Sequence, residues 1–141
     1  MSTTSPSGPS VVVGYIPTPV GRAAVGAAVA EARKRRARLV IVNAAGIDVL
    51  IDENHATSDD LAQVQAQVSA AGVEFEVRRP TMPQSPADTL VEIAREVDAL
   101  LIVIGLRRRS LVGKMIMGSA ATRVLLAAHC PVLAVKTEAS E

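Results

Sequence analysis

Aromatic residues are almost absent from this 141-residue chain, which contains one Tyr, one Phe and no Trp. Because single-stranded nucleic acids are bound largely by stacking bases on aromatic side chains, this composition argues against a general nucleic-acid binder. The net charge of only +1 argues the same way, since proteins that bind polyanions carry a strong positive excess. The sequence therefore predicts no nucleic-acid partner.

Cysteines and long apolar runs are also scarce. Cys130 is the single cysteine, so no internal disulfide can form, and no stretch reaches the roughly 20 apolar residues of a membrane span. The first ten residues, MSTTSPSGPS, lack the basic start and apolar centre of a secretory signal. We therefore expect a cytoplasmic protein with no membrane contact.

The rest of the composition is typical of one globular domain. Hydrophobic residues make up 49% of the chain, which is ample for a single core. We predict a disordered tail at 1–9, one domain at 10–137 and a short C-terminal tail at 138–141.

Apolar runs of strand length alternate with helical patterns along that domain. Strands are predicted at 11–15, 39–46, 73–79, 99–104 and 131–136, and helices at 18–37, 59–72, 85–97 and 119–129. Ser85 and Asp88 have the spacing of a helix cap, which marks the third helix most clearly. Strand–helix alternation predicts a doubly wound α/β domain with parallel strands and helices on both faces.

Apolar residues recur at helical spacing in each predicted helix. In the second helix they are Leu61, Val64 and Val68, and in the third Leu90, Ile93, Ala94 and Val97 form the core face. In the first helix the predicted inward face consists of Ala24, Val25, Ala28, Val29 and Ala32, whose small side chains favour close packing on a sheet. In the fourth helix it consists of Val124, Leu125 and Ala128. Ligands of such a sheet bind outside the carboxyl ends of the strands, where the strand order reverses.

The loop after the fourth strand, GLRRRSLVGKMIMGS at 105–119, combines glycines with concentrated positive charge. Glycines let peptide N–H groups approach a phosphate, Arg107 and Arg108 add charge, and the next helix starts at Ser119 with unpaired N–H groups. Phosphate binding is the functional interpretation. The alternative is a solvated basic loop followed by an ordinary helix cap.

Two other phosphate motifs do not fit. Gly105 and Gly113 enclose seven residues and Lys114 is followed by Met115, so the Walker A spacing fails. The glycines after the first strand do not form the dinucleotide fingerprint either, which argues against NAD.

The 105–119 loop resembles the nucleotide motif of the universal stress proteins, G-x2-G-x9-G-(S/T). Gly105, Arg108, Gly118 and Ser119 stand at its four defined positions, and HCPVLAVK resembles the ending of that family. The resemblance extends from residue 11 to residue 136. It implies the adenine nucleotide alpha hydrolase-like fold, with a five-stranded parallel sheet of order 3-2-1-4-5. It also implies ATP or AMP between the first and fourth strands, and a homodimer formed through the last strand, 131–136.

Two positions depart from the family pattern. Arg108 replaces the middle glycine, and Ile16 stands where nucleotide-binding members usually have an Asp. The guanidinium of Arg108 can take over part of the phosphate contact through bidentate hydrogen bonds. Ile16 cannot accept the hydrogen bond of the Asp, so Gly14, Ile16 and Val42 are expected to supply an apolar wall and main-chain contacts.

The expected ligand-binding residues combine the motif with the first and second strand ends. They are Gly14, Tyr15, Ile16, Thr18, Val42, Gly105, Arg107, Arg108, Gly113, Gly118, Ser119 and Ala120. We expect a universal stress protein that binds ATP or AMP, with or without Mg²⁺, as a regulatory ligand, and not an enzyme. The alternative is a dimeric interaction module that has lost nucleotide binding.

Two other groups could carry chemistry. Asp48, Asp52, Glu53 and His55 could hold a metal ion in a hydrolase or phosphotransferase, but their spacing matches no metal motif and favours a solvated loop. His129 and Cys130 could form a nucleophile pair, yet sequence neighbours on a helix point in different directions. Cys130 is therefore interpreted as a small core residue, with no catalytic or metal-binding residue expected.

Overall fold

The computed structural model describes residues 8–15, 19–43, 53–79, 85–106 and 118–136, of which 19 and 53–60 are described by their main chain only. These ranges form five strands and four helices. The strands are β1 (Ser10–Tyr15), β2 (Arg38–Asn43), β3 (Phe75–Arg78), β4 (Leu101–Leu106) and β5 (Val132–Lys136). The helices are α1 (Pro19–Arg35), α2 (Glu53–Ala70), α3 (Pro86–Glu96) and α4 (Ser119–Ala127).

All five strands lie in one parallel sheet with the order β3-β2-β1-β4-β5. The central strand is β1, where Val12 is in register with Val40 of β2 and Ile102 of β4. The strand order reverses between β1 and β4, which makes their carboxyl ends the switch point of the sheet. The predicted doubly wound fold and the order 3-2-1-4-5 are both confirmed.

Successive residues of the inner strands point into two separate cores, because side chains alternate across a strand. One core packs Val11, Val13 and Leu39 beneath α1 and α2. The other packs Val12 and Val40 beneath α3 and α4. Burial on both faces explains why β1, β2 and β4 read as unbroken apolar runs in the sequence.

The predicted inward face of α1 is confirmed, since all five of its residues are buried. After Arg35 the chain leaves the helix through Arg36, whose φ is 55°, and Ala37 N–H donates to the carbonyl of Ala32 at 2.8 Å. This left-handed position is usually occupied by glycine, because a Cβ clashes there with the following carbonyl. The α1 terminus therefore carries local backbone strain at Arg36.

The capping prediction for α3 is also confirmed. Ser85 has extended backbone angles, and its Oγ accepts a hydrogen bond from Asp88 N–H at 3.1 Å. Pro86 occupies the first turn, where its missing N–H leaves no intrahelical bond unmade. These residues fix the start of α3 beside the carboxyl end of the sheet.

Several helix boundaries differ from the prediction. α1 ends at Arg35 instead of residue 37, and α2 ends at Ala70 instead of residue 72. α2 begins at Glu53 instead of residue 59, so the helix takes in residues 53–58 of the connection expected before it. Leu61, Val64 and Val68 anchor the helix in the core, and extending a formed helix costs far less than nucleating one. α4 ends at Ala127 instead of residue 129, because the chain must turn towards Pro131 and β5.

The inward face predicted for α4 is wrong at Leu125, which is 41% exposed. Val124 is the one residue of α4 that is buried, and Ala128 is half-buried beyond the helix end. The physical reason is position: α4 packs beside α3 near the edge of the sheet, so a neighbour covers only a narrow stripe of it. Leu126 is 82% exposed on the same helix.

The β3 edge of the sheet carries an ion-pair network. Glu76 binds the guanidinium groups of both Arg38 and Arg78, and Arg78 Nη1 lies 3.5 Å from a carboxylate oxygen of Glu96 on α3. Burial alone would raise the pKa of Glu76, but the hydrogen bond and charge of Arg78, together with the charge of Arg38, lower it overall. The alternating apolar and charged residues at 73–79 are typical of an edge strand, and β3 is one.

Candidate functional site

A cavity of about 140 Å³ lies at the switch point, where β1 and β4 end. Gly14 of β1 and Ile104 and Gly105 of β4 form its base. Leu90 of α3 and Val124 of α4 close two further sides. The cavity therefore occupies the place at which a doubly wound sheet binds its ligands.

The first turns of three helices complete the wall of this cavity. They contribute Val20 and Gly21 of α1, Pro86 and Ala87 of α3, and Ala120 and Ala121 of α4. Each helix start carries the positive end of a dipole and N–H groups without intrahelical partners. Three such ends around one opening favour a ligand with negative charge.

Gly105 and Gly14 permit the close packing that shapes the cavity. A Cβ added to Gly105 would lie 2.9 Å from the carbonyl oxygen of Val20 and 3.0 Å from its Cγ2. A Cβ added to Gly14 would lie 3.2 Å from Cδ2 of Leu90. The end of β4 therefore touches the main chain of α1 directly, which only glycine allows, whereas Gly14 faces a movable side-chain end.

The start of α4 is exposed and has no side-chain cap. Gly118 is the N-cap residue, with φ −72° and ψ 165°, and its carbonyl accepts hydrogen bonds from the N–H and Oγ1 of Thr122, both at 3.1 Å. One turn away, Arg123 Nε donates to an Asp88 carboxylate oxygen at 2.7 Å and joins α4 to α3. Because Gly118 has no side chain, it makes no side-chain hydrogen bond to the first N–H groups of α4. Ala120 and Ala121 of this first turn line the cavity.

The structure places the predicted site residues in three groups. Gly14, Gly105 and Ala120 line the cavity, and Gly118 and Ser119 are exposed beside it at the start of α4.

Tyr15 and Val42 have fully buried side chains in opposite cores, so only their main-chain atoms can meet a ligand. The remaining predicted positions, Ile16, Thr18, Arg107, Arg108 and Gly113, lie outside the described residues.

Several cavity residues were not predicted from the sequence. Val20, Leu90, Ala121 and Val124 were assigned to helix faces or to no role at all, yet they form much of the wall. Prolines at two helix starts were the available signal, since Pro19 and Pro86 mark helices that begin at the carboxyl side of the sheet. The distance between those starts could not be read from spacing along the chain.

A larger open groove of about 490 Å³ lies at the opposite, amino end of the sheet. Arg33, Arg36 and Glu74 are among its lining residues, and α1 and α2 end there. Helix carboxyl ends carry partial negative charge, which attracts these arginines and opposes a bound anion. The switch-point cavity, although smaller, is therefore the candidate site.

Of the two other groups considered from the sequence, the structure describes His129 and Cys130, whereas the side chains of the acidic group lie outside the described residues. Burial, followed by the negative charge of Asp98, raises the pKa of the Cys130 thiol and disfavours the reactive thiolate. Cys130 packs against the core beneath α3 and α4, as expected of a structural residue. Asp48 and Asp52 lie outside the described residues, and the described part of the chain holds no cluster of three metal-binding side chains.

These features define a doubly wound α/β domain with a cavity at the carboxyl ends of β1 and β4. Residues 9–136 match the model of the universal stress protein family. A universal stress protein of Mycolicibacterium smegmatis is 41% identical over 126 residues, covering 89% of this chain and 96% of that protein. The chain belongs to the universal stress protein family.

Solved structures agree with this assignment. The universal stress protein of Archaeoglobus fulgidus superposes with a TM-score of 0.74 at 30% identity, covering 91% of this chain and 93% of that one. The same organism's protein in complex with dAMP gives 0.72 at 29% identity, with coverage of 92% and 98%. A universal stress protein in complex with cAMP gives a TM-score of 0.70 at 28% identity, with coverage of 94% and 100%.

Among the described helices, none is long and apolar enough to span a membrane.

Proposed function

We propose that this universal stress protein binds an adenine nucleotide at the carboxyl ends of β1 and β4. The observation that carries the proposal is the switch-point cavity, where the starts of three helices surround an apolar chamber. The apolar chamber suits a nucleobase, and the helix starts suit phosphate oxygens. The relatives solved with dAMP and cAMP support an adenine nucleotide over other anions.

The phosphates are proposed to lie at the start of α4. Gly118 and Ser119 are exposed there, and Ala120 and Ala121 of the same first turn line the cavity. Arg107 and Arg108 of the preceding segment would balance the phosphate charge, with Gly113 opening the main chain. ATP and AMP are the proposed ligands, with or without Mg²⁺.

The nucleotide is proposed to act as a regulatory ligand. Phosphoryl transfer needs metal-holding carboxylates and a group that orients the nucleophile. The described wall of the cavity contributes hydrocarbon side chains and main chain only. A bound nucleotide would instead shift the equilibrium between two conformations of the protein towards the conformation that it binds more tightly.

A thermal-shift titration tests this proposal. ATP, AMP and cAMP are titrated separately, with and without Mg²⁺, into the full chain; a ligand that binds the native state raises the melting temperature by mass action. A rise that saturates with ATP or AMP is expected. An unchanged melting temperature at millimolar nucleotide would refute nucleotide binding.

A double charge-reversal variant tests whether the phosphates lie beside Arg107 and Arg108. Arg107→Glu with Arg108→Glu should weaken ATP much more than adenosine, because only ATP carries phosphate charge. Arg33→Glu with Arg36→Glu is the matched control, since it makes the same charge change at the opposite end of the sheet. Equal losses for ATP and adenosine, or equal losses in both variants, would contradict the placement.

A second proposed role is a homodimer formed through β5 and the preceding Pro131. β5 is an edge strand, and the nearby α4 exposes 82% of Leu126. An exposed edge offers main-chain donors and acceptors for strand pairing. Light scattering after gel filtration should give twice the monomer mass. Ala134→Pro should give a monomer, because Ile102 N–H donates to Pro131 O and the alternation along β5 then directs the N–H of Ala134 away from β4. A dimer unaffected by that variant would place the interface elsewhere.

A further inference from the structure

We propose that the groove at the amino end of the sheet is a docking site for an acidic peptide segment of a partner protein, bound through Arg33 and Arg36. This groove lies at the opposite end of the strands from the switch-point cavity. The inference therefore goes beyond the proposed nucleotide function and does not depend on it.

The groove is formed by the ends of two helices and the starts of three strands. Ala32 and Ala37 line it on the α1 side, and Ala71 and Gly72 line it after the end of α2. Short side chains at these four positions leave a space of about 490 Å³. This volume lies within the roughly 300–1,000 Å³ of ordinary ligand sites.

Positive charge is concentrated beside this groove. Residues 31–38, EARKRRAR, contain five basic residues and one Glu, and residues 74–76, EFE, add two Glu, which gives a local net charge of +2. The residues before Gly8 add no charged side chain. Because the whole chain has a net charge of +1, the positive excess of the molecule lies at this end of the sheet.

Main-chain hydrogen bonds already close the end of α1. The N–H groups of Arg36 and Ala37 donate to the carbonyls of Arg33 and Ala32, at 3.2 and 2.8 Å. The carbonyls of this last turn therefore do not need the arginine side chains as caps. The side chains of Arg33 and Arg36 are exposed and line the groove, so a ligand can reach them from solvent.

The main-chain conformation of Arg36 supports a functional role. Its φ of 55° lies in the left-handed region, where a residue with a Cβ is strained and glycine is usual. Strained positions of this kind cluster at ligand-binding sites. Arg36 therefore keeps a positive charge at the groove despite a cost in stability.

The position of the charges within the groove favours a ligand with acidic side chains over a small anion. The carboxyl ends of α1 and α2 place partial negative charge on the main chain at the floor of the groove, which opposes a small anion there. Long arginine side chains carry their charge away from the main chain. Carboxylates on a peptide can meet these guanidinium groups at the rim and accept bidentate hydrogen bonds.

Glu74 favours a peptide over a polyphosphate. This residue is exposed and lines the same groove. A polyphosphate carries negative charge along its whole length, so the carboxylate of Glu74 would repel it. In an extended peptide, alternate side chains share a face at intervals of about 7 Å, and an uncharged residue can lie beside Glu74.

Binding of a fluorescently labelled hexapeptide of alternating Glu and Ser to the full chain tests the proposal. The anisotropy is measured at roughly 0.15 M ionic strength, where distant surface charges are largely screened. Saturable binding is expected, and the same peptide with Gln in place of Glu should not bind. Absence of saturable binding would overturn the proposal, and so would inorganic triphosphate that competes with an equal or higher affinity.

Two double variants separate the groove from general electrostatic attraction. Arg33→Gln with Arg36→Gln removes two charges that line the groove. Lys34→Gln with Arg35→Gln removes two charges beside it, from residues that lie 3.6 and 3.4 Å from carboxylate oxygens of Glu31 and are not among the groove residues. The first pair should weaken the peptide by about 5- to 30-fold, the effect of two surface ion pairs, and the second by less than about 3-fold. Equal losses would refute docking in the groove.

Arg36→Gly separates binding from folding. It should make the protein more stable, because it relieves the left-handed position, and yet weaken the peptide by about 2- to 5-fold through the loss of one ion pair. Arg36→Lys keeps the charge and should retain most of the affinity. If Arg36→Gly binds the peptide as tightly as the wild type, Arg36 has no role in docking.

Amide resonances locate the bound peptide. The peptide should shift the resonances of Ala37, Gly72 and Glu74 and leave those of Gly14 and Gly105 in the switch-point cavity unchanged. Shifts confined to Gly14 and Gly105 would overturn the proposal. ATP binding is measured on the same sample, so loss of either function is seen without the other.

Discussion

Gly105→Ala should destabilise the protein by forcing two main-chain segments apart. The new Cβ would lie 2.9 Å from the carbonyl oxygen of Val20 and 3.0 Å from its Cγ2. Real Cβ atoms do not come that close to main-chain oxygen, and a helix backbone cannot rotate away as a side chain can. The end of β4 and the first turn of α1 must separate by several tenths of an ångström. We expect a loss of about 1–3 kcal/mol in the free energy of unfolding, the usual range for overpacking a tight contact.

Two other glycine substitutions calibrate that loss. Gly26→Ala lies inside α1, where the added Cβ meets nothing within 4 Å, and should stabilise by about 0.5–1 kcal/mol through lower chain entropy in the unfolded state. Gly14→Ala meets only Cδ2 of Leu90 at 3.2 Å, which can rotate, so its effect should lie between the other two.

Urea unfolding of the four proteins measures these differences, with ΔG taken from the midpoint and from the slope m. The expected order of stability is Gly26→Ala, wild type, Gly14→Ala and Gly105→Ala, with m unchanged because the unfolded surface is the same. If Gly105→Ala unfolds at the same urea concentration as wild type or higher, the close approach of β4 to α1 does not exist as described.

Three further substitutions test local features of the fold. Arg36→Gly should stabilise by about 1 kcal/mol in thermal or urea unfolding, because it relieves a left-handed position at φ 55°. The control Arg33→Gly, an exposed position in the last turn of α1, should destabilise, and a loss of stability in both variants would argue against strain at Arg36. Ser85→Ala should lower the free energy of unfolding by about 1 kcal/mol, because it removes the N-cap of α3. Ser85→Asp, which can also cap the helix, should keep the stability of the wild type, and if it does not, the loss in Ser85→Ala is not due to the cap. Glu76→Gln should cost under about 1 kcal/mol at pH 7 by breaking partly exposed ion pairs, including that to Arg78. Because the pKa of Glu76 is lowered from 4.5 on folding, its contribution is complete above that value and disappears as pH falls through the folded pKa; a difference from wild type that grows on acidification would contradict this.

Local elements of this fold could be predicted because their signals are local. The cap of α3 needs only Ser85, Pro86 and Asp88, and the buried strands need only runs of β-branched residues. Leu125 shows the limit of local signals. Helical spacing indicates which residues share a face, but how much of that face is buried depends on the elements that pack against the helix. α4 lies near the sheet edge, and Leu125 consequently remains 41% exposed.

The candidate site could be predicted in part, from the family motif with the residue after it and from the end of the first strand. Gly14, Gly105 and Ala120 were expected in the site and do line the cavity. The contact of Gly105 with Val20 joins residues 85 positions apart, and no spacing rule encodes that approach. The sheet order likewise came from resemblance to a family, because alternation of strands and helices is compatible with several orders.

The unequal edges of the sheet bear on how copies of this protein can associate. A strand arriving beside β3 would meet the network of Arg38, Glu76 and Arg78, whereas the described residues of β5 present mostly small and aliphatic side chains. In a dimer formed by pairing of two β5 strands, the β5 edge of each copy is covered, and only the two charged β3 edges remain exposed. Assembly by strand pairing would then stop at the dimer, so an aliphatic edge at β5 would not lead to fibre formation.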